Sequence, residues 1–244
     1  MHTFFLAPHY WKPPYLLDGQ EAVHLIKVLR AKPGTTIKVL DGQGRLGLFK
    51  LEQVKKRKAY LQPVKIWTQD KPNKKLYLAI GWTKSSRRAW ILEKAVELKA
   101  WKIIFWPGEF SQGRPGQTPK ENWRNRLIAA AKQCQNPWLP EVLNLSGLSE
   151  LIHYAQNFKQ KIVLWEKCPP ENIITGQDIC KEEKNLVVIG PEGGLSAAEV
   201  KELTQNGFKT FSLGTSILRW ETAAIVCLSL HYLELENANH LSGV

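Results

Sequence analysis

The stretch Ile189-Gly190-Pro191-Glu192-Gly193-Gly194-Leu195-Ser196-Ala197-Ala198-Glu199 decides how this chain is read. Residues 185–190 form an apolar run with the look of a strand buried on both faces. A glycine-rich turn follows, and then Ser196 and Glu199 stand at the S-x-x-E spacing of a capping box that opens a helix over 197–206. Glycines at a strand end let backbone approach a ligand closely. Pro191 stiffens the turn, and Glu192 offers a carboxylate that can accept hydrogen bonds from a ribose or a base. The stretch is neither G-x-G-x-x-G nor a P-loop, since no G-K-[ST] follows.

Working outward, residues 209–213 read as a strand that ends at Leu213-Gly214 and runs through Thr215-Ser216-Ile217-Leu218-Arg219-Trp220 into a helix over 221–235. Glu221 suits a helix N-terminus, whereas a cation such as Arg219 does not. An anion or nucleotide held there would give that arginine a reason. Upstream, 161–166 is a third strand end, with Leu164, Trp165 and Glu166 at its tip. Strands are also expected at 76–81 and 102–106, and helices at 88–98 and 120–134. Alternating strands and helices make an α/β domain with a mostly parallel sheet, and such sheets bind ligands at the carboxyl ends of their strands.

Before residue 76 the pattern changes. Strand-like runs at 3–6, 36–40, 46–54 and 59–66, a hairpin signal at Asp41-Gly42-Gln43-Gly44 and one helix over 20–29 describe a small β-barrel-like module. The chain of 244 residues carries a formal charge of +12, and residues 1–75, with 15 Lys/Arg against 5 Asp/Glu, hold +10 of it. This suggests an RNA- or DNA-binding surface. Lys27, Arg30 and Lys32 cluster near His24, and Lys55-Lys56-Arg57-Lys58 reads as a solvated hairpin turn. The expected division is a binding module over 1–70, a linker over 71–75 and the α/β domain over 76–244.

Composition narrows the class. A hydrophobic content of 43% is too high for a disordered chain. No apolar run approaches the ~20 residues of a membrane span, and the first residues lack the features of a signal peptide. The four cysteines stand far apart with no CxxC, as cytosolic thiols would. The expectation is a soluble cytoplasmic protein that needs no metal.

Four motifs carry a family resemblance. His24-Leu25-Ile26-Lys27-Val28-Leu29-Arg30 followed by Pro33-Gly34 resembles H-x-x-x-V-L-R-x-x-x-G. Glu93-Lys94-Ala95-Val96-Glu97-Leu98 resembles Q-K-A-T-E-L-G. Residues 189–199 resemble I-G-P-E-G-G-[FL]-S-x-x-E, and residues 213–223 resemble L-G-x-R-I-L-R-x-E-T-A. In this order they resemble the RsmE family, which methylates N3 of a uridine in 16S ribosomal RNA of the small subunit.

The resemblance implies an N-terminal PUA-like β-barrel that binds RNA and a C-terminal SPOUT domain with a trefoil knot, in a homodimer that uses S-adenosyl-L-methionine. It places the cofactor on Leu164, Trp165, Glu166, Ile189, Gly190, Pro191, Glu192, Gly193, Gly194, Leu213, Gly214, Ser216, Ile217, Leu218 and Thr222. RNA would meet Lys27, Arg30 and Lys32, and His24 would either touch RNA or cap or pack the small domain. Arg219 would orient phosphate or the base anion, and Glu192 or Glu221 would take the N3 proton or else hold the loop.

The chain also departs from the pattern. Lys99 and Gln135 replace glycines, Lys132 a glutamate, Asn136 and Ser216 arginines, and Trp220 a polar residue. The drifted positions are expected to face the RNA or the dimer partner. They motivate one competing reading, a non-catalytic or retargeted RNA-binding homologue. Another is a nucleotide-binding enzyme that does not use RNA, against which the basic segment counts.

Overall fold

The computed structural model describes residues 1–84, 86–169 and 171–241. The chain forms two compact units, Met1–Lys71 with Ile128–Leu139, and Pro72–Leu127 with Pro140–Val244.

The first unit is a five-stranded sheet of β1 (Thr3–Phe5), β2 (Tyr15–Leu17), β3 (Thr36–Leu40), β4 (Arg45–Lys55) and β5 (Lys58–Thr68), in the order β1-β3-β4-β5-β2. β1 pairs parallel with β3 and the other pairs are antiparallel. Along β4, Leu46, Phe49 and Leu51 are buried while Lys50 and Glu52 are exposed, the period of a sheet with one wet face. Pairing with β5 slips between Leu48 and Phe49 and again between Leu51 and Gln53, and such bulges sharpen the twist. The sheet therefore rolls until Phe4 and Leu17, from its opposite edges, share one core with Val39, Phe49 and Leu61.

The expected helix over 20–29 is α1 (Gly19–Val23) continued by a π-helical turn, His24–Val28. The Leu29 N–H donates to the His24 carbonyl five residues back. Leu25 is buried beneath this turn, while Lys27 and Val28 are exposed.

The hairpin turn at 41–44 is shaped to receive residues 137–139. A Cβ on Gly44 would lie 2.3 Å from the Trp138 ring, and one on Gly42 would lie 2.7 Å from the Leu139 side chain. Asp41, 1% exposed, holds the turn by accepting the backbone N–H of Gln43 and of Arg45 and the Arg45 Nε–H.

α3 (Glu121–Cys134) leads into this segment and accounts for three of the departures. Lys132 pairs with Glu21, Gln135 Oε1 accepts from Lys38 Nζ at 2.7 Å, and Asn136 is buried with its Oδ1 on the Trp138 N–H. These side chains, expected to face RNA or a second subunit, are engaged within their own unit.

The second unit is a six-stranded sheet of β6 (Lys75–Gly81), β7 (Lys102–Trp106), β8 (Glu141–Asn144), β9 (Gln160–Leu164), β10 (Lys184–Ile189) and β11 (Lys209–Phe211). The order is β11-β9-β10-β6-β7-β8, and every pair is parallel. The helices are α2 (Arg87–Glu97), α4 (Leu148–Ala155), α5 (Gly176–Ile179), α6 (Ala197–Gln205) and α7 (Trp220–Leu241). Leu151 and Ala155 of α4 and Val200 and Leu203 of α6 share a core with Ala79, Val163 and Val188. α7 packs against α2, α5, β6 and β10. Burial from both faces is why β6 and β10 read as unbroken apolar runs. No described helix is long and apolar enough to cross a membrane.

Lys99 follows α2 with φ 56°, the left-handed conformation that glycine adopts most easily. Its ammonium reaches Glu236 at 2.5 Å and lies 5.5 Å from the Tyr232 ring. The strain of a side chain at this helix end, about 1 kcal/mol, is thereby offset by contacts to α7. Gln135, with φ 60° after α3, repeats the arrangement.

Burial holds the Cys180 and Cys227 thiols up to about 12, so neither is a thiolate near neutral pH. Burial also pushes His231 of α7 from 6.5 down to about 4, against a smaller opposing effect of the Lys74 backbone. The folded state therefore keeps this imidazole neutral while the unfolded chain protonates it. The contribution of His231 to stability is fully present above about pH 6.5, falls as pH drops toward 4, and changes no further below that. In that window the loss is about 1.4 kcal/mol per pH unit. In urea titrations across this range, His231→Leu should show a shallower decline of stability with falling pH than the parent protein.

Candidate functional site

The register of the parallel sheet sets the site. Ile189 of β10 lies opposite Leu164 of β9 and Ile80 of β6, and Phe211 of β11 also lies opposite Leu164. The carboxyl ends of four strands thus stop at one level, and the chain leaves each into a loop. Three of these loops line a cavity of about 240 Å³. It is bounded by Leu164, Trp165 and Glu166, by residues 189–195, and by Ser212, Leu213, Gly214, Ser216, Ile217, Leu218, Trp220 and Ala223.

Each loop is held locally. In the first, the Trp165 N–H continues the ladder by donating to the Phe211 carbonyl at 3.0 Å. In the second, the Gly194 N–H closes a turn onto the Pro191 carbonyl at 2.8 Å, and Gly194 has φ +79°. Beyond it the expected capping box is present: Ser196 Oγ accepts the Glu199 N–H, and Glu199 Oε2 accepts the Ser196 N–H. The other Glu199 oxygen accepts the Glu109 N–H at 2.8 Å, tying the loop after β7 to the start of α6. In the third, the Ser212 hydroxyl bridges the N–H and the carbonyl of Gly214.

The glycines pack backbone on backbone. A Cβ on Gly81 would lie 2.1 Å from the Pro191 nitrogen, and one on Gly190 would lie 2.9 Å from the Gly194 carbonyl carbon. The Trp220 indole donates to the Gly81 carbonyl at 2.9 Å, so the start of α7 is fixed to the end of β6. The Trp165 indole N–H is buried and has no acceptor among the described residues.

A second, wider depression of about 830 Å³ adjoins the first. Glu192, Ile217, Leu218 and Trp220 line both, and Thr83, Lys84, Ser86, Arg87, Gln112, Arg219 and Glu221 line only the second. Arg219 and Glu192 are exposed. Glu221 is buried, with its carboxylate bound by Arg87 of α2.

Of the expected cofactor residues, all but one converge on the smaller cavity. Thr222 does not: it is exposed, and Ala223, three residues after Trp220 on the same helix face, takes the place expected for it. Trp220 is a buried hydrogen-bonded wall of both cavities. Leu195, Ser212 and Ala223 were not anticipated, nor was the loop after β6, although the strand-end rule that selected three loops applies equally to this fourth.

In the first unit, His24 borders a groove with Gly19, Gln20, Val23, Val28 and Arg57, and its ring lies 5.7 Å from Phe4. Lys27, Arg30 and Lys32 are exposed. Among the described residues no three His, Cys, Asp or Glu side chains form a metal-holding group.

A rolled basic sheet and a parallel α/β unit with a glycine-walled cavity are the parts of an RNA-modifying enzyme. The profile of the RNA methyltransferase domain matches residues 69–232, and that of the RNA methyltransferase PUA domain matches residues 17–64. The chain belongs to the ribosomal RNA small subunit methyltransferase E family. It is 30% identical over 168 residues to the Mesomycoplasma hyopneumoniae member, covering 68% of this chain and 72% of the relative. It is 29% identical over 228 residues to the Bacillus subtilis member, covering 89% of each. Among solved structures, a chain from Porphyromonas gingivalis aligns with a TM-score of 0.83 at 27% identity, over 97% of this chain and 100% of that one. A Legionella pneumophila protein with the cofactor SAM bound aligns with a TM-score of 0.79 at 26% identity over 97% of each chain.

The hairpin tip of the first unit shows a local conflict. Lys55 pairs with Lys58 across a two-residue turn in which Lys56 and Arg57 have φ 47° and 64°. Such turns favour Asn-Gly, and left-handed lysine and arginine cost about 1 kcal/mol each. Replacing Lys56→Asn together with Arg57→Gly should raise the melting temperature, as measured by calorimetry.

Proposed function

We propose that the protein transfers a methyl group from S-adenosyl-L-methionine to N3 of a uridine in 16S ribosomal RNA, acting as a cytoplasmic homodimer on RNA held by its basic unit. The observation that carries this reading is the seam between the two cavities. A small glycine-walled chamber and a wide depression that borders Arg219 share Glu192, Ile217, Leu218 and Trp220 as a common wall.

The chamber fits the donor. Side chains at positions 81 and 190 would collide with the loop after β10, so these segments pack tightly, and Gly190, Gly193, Gly194 and Gly214 present bare peptide groups to the chamber. Trp165 adds a buried donor without an acceptor among the described residues. Leu164, Trp165, Glu166, residues 189–194, Leu213, Gly214 and residues 216–218 would hold the ligand where the loops cross in the family's knot. Bound there, S-adenosylmethionine supplies an electrophilic methyl group on a sulfonium.

The remaining work falls to the protein. N3 of uridine is nucleophilic only without its proton, so the site needs an acceptor for that proton and a positive group beside the resulting anion. Glu192 stands at the seam, exposed to the depression and bordering the chamber, and we assign it the proton. Glu221 already binds Arg87, which suits a positioning role at the start of α7. Arg219, on the depression side, stabilises the uracil anion. The target base reaches this point by leaving its stack. His24, Lys27, Arg30, Lys32 and Arg57 contact phosphates and hold the strand.

The test is methyl transfer to small ribosomal subunits that lack the modification, with mass mapping of the product. Arg219→Ala should lower kcat by about 10²–10³-fold with an unchanged melting temperature, and normal turnover would remove it from the mechanism. Gly81→Ala should weaken donor binding at least about tenfold in calorimetry, because the new methyl group pushes residues 190–191 into the chamber.

A further inference from the structure

The outward face of β3, β4 and β5 carries a basic patch around an aromatic ring. Ile37, Val39 and Phe49 belong to the core of the first unit, so the residues alternating with them, Lys38, Leu48 and Lys50, point away from it. Lys38 of β3 and Lys65 of β5 lie opposite Leu48 of β4, one on each side. Trp67, two residues beyond Lys65, shares this face and is half-buried. Its ring lies 6.0 Å from Lys38 Nζ and 5.8 Å from Lys65 Nζ.

Neighbouring strands are about 4.8 Å apart, so Lys38, Lys50 and Lys65 concentrate positive charge on a small area. Lys38 donates to the neutral Gln135 side chain. None of the three forms an ion pair among the described residues. Glu52 is the single acidic residue of the three strands. Like charges gathered on one sheet face repel, and a bound anion relieves that repulsion. β2 pairs with β5 only over residues 59–61, which leaves Lys65 on a free edge among the described residues, and lysine there discourages pairing with another chain. That accounts for Lys65 but not for a tryptophan set between two lysines. An acidic peptide would neutralise the lysines and leave the ring unused. A strand of RNA uses both, since its phosphates are anionic and its bases stack on aromatic side chains.

We propose that this face binds a single-stranded segment of the RNA, with an unpaired base stacked on Trp67 and flanking phosphates on Lys38, Lys50 and Lys65. The inference rests on the reading that the protein acts on RNA and deepens it. It adds a contact on the side of the sheet away from the core into which Leu25 of the π-helical turn packs. Every base has a π-face, so such a contact tolerates any sequence. It anchors the substrate and leaves the choice of target nucleotide to other residues.

The test compares the binding of a labelled short oligouridine and of the same strand made abasic, by fluorescence anisotropy. Trp67→Ala should bind oligouridine about tenfold more weakly, the loss of one base stack, and bind the abasic strand as the parent does. Trp67→Phe should recover most of that loss. Replacing Lys38 and Lys65 together by alanine should lower the slope of log affinity against log salt by about 1.4. These lysines face solvent, so the pair tests the surface even if Trp67→Ala fails to fold. On unmodified small subunits, Trp67→Ala should raise KM with kcat and donor affinity unchanged. Equal losses on both strands would show that the ring only supports the fold, and parent-like binding in every variant would show a merely solvated face. Aggregation of the lysine variant with unchanged RNA affinity would show edge protection, and tighter binding of polyglutamate than of oligouridine would make an acidic protein the occupant. Each of these four results overturns the inference and leaves the methyltransferase reading standing. Trp67-dependent RNA binding by a parent protein that methylates no subunit upholds the inference and overturns that reading.

Discussion

A missing Cβ holds the site together. At Gly81 that atom would lie 2.1 Å from the Pro191 nitrogen, so β6 and the loop after β10 meet backbone to backbone. The Gly81 carbonyl then receives the Trp220 indole, which fixes where α7 starts. Trp220 in turn is a wall of both cavities. One close approach therefore sets how the two cavities are placed relative to each other. Positioning of this kind is what a methyl transfer with a ready leaving group asks of a protein.

Much of this was legible in the sequence because the signals were local. The capping box at Ser196 and Glu199, the apolar runs of β6, β9 and β10, and the glycines after them each report on a few neighbouring residues. Elements defined by distant partners were not legible. β2 is three residues long and exists by pairing with β5, and β8 is a short half-exposed strand whose only described neighbour is β7. α4, between β8 and β9, was not legible either, and the π-helical turn at 24–28 looks in sequence like any helical one. Residues 128–139 join the first unit through the turn at 41–44, with no shift in composition to mark it.

The departures from the family pattern are informative for the same reason. Two replaced glycines, at Lys99 and Gln135, sit where a helix ends in the left-handed conformation. Each substituted side chain makes a polar contact that a glycine could not, Lys99 with Glu236 and Gln135 with Lys38. The backbone shape has been kept while its local determinant changed. Such positions look like lost function when a motif is read letter by letter, yet they are a change in how a helix end is held.

The strand order also bears on how the chain reaches this state. β10 lies between β6 and β9, with Val187 beside Leu78 and Ile162. The centre of the sheet is thus completed by a strand far along the chain from its neighbour, and the loop must close before the pairing returns any free energy. Folding of this unit is then slow for its size. Until β10 arrives, β6 and β9 present unpaired edges, the surfaces on which a nascent chain is most exposed to aggregation.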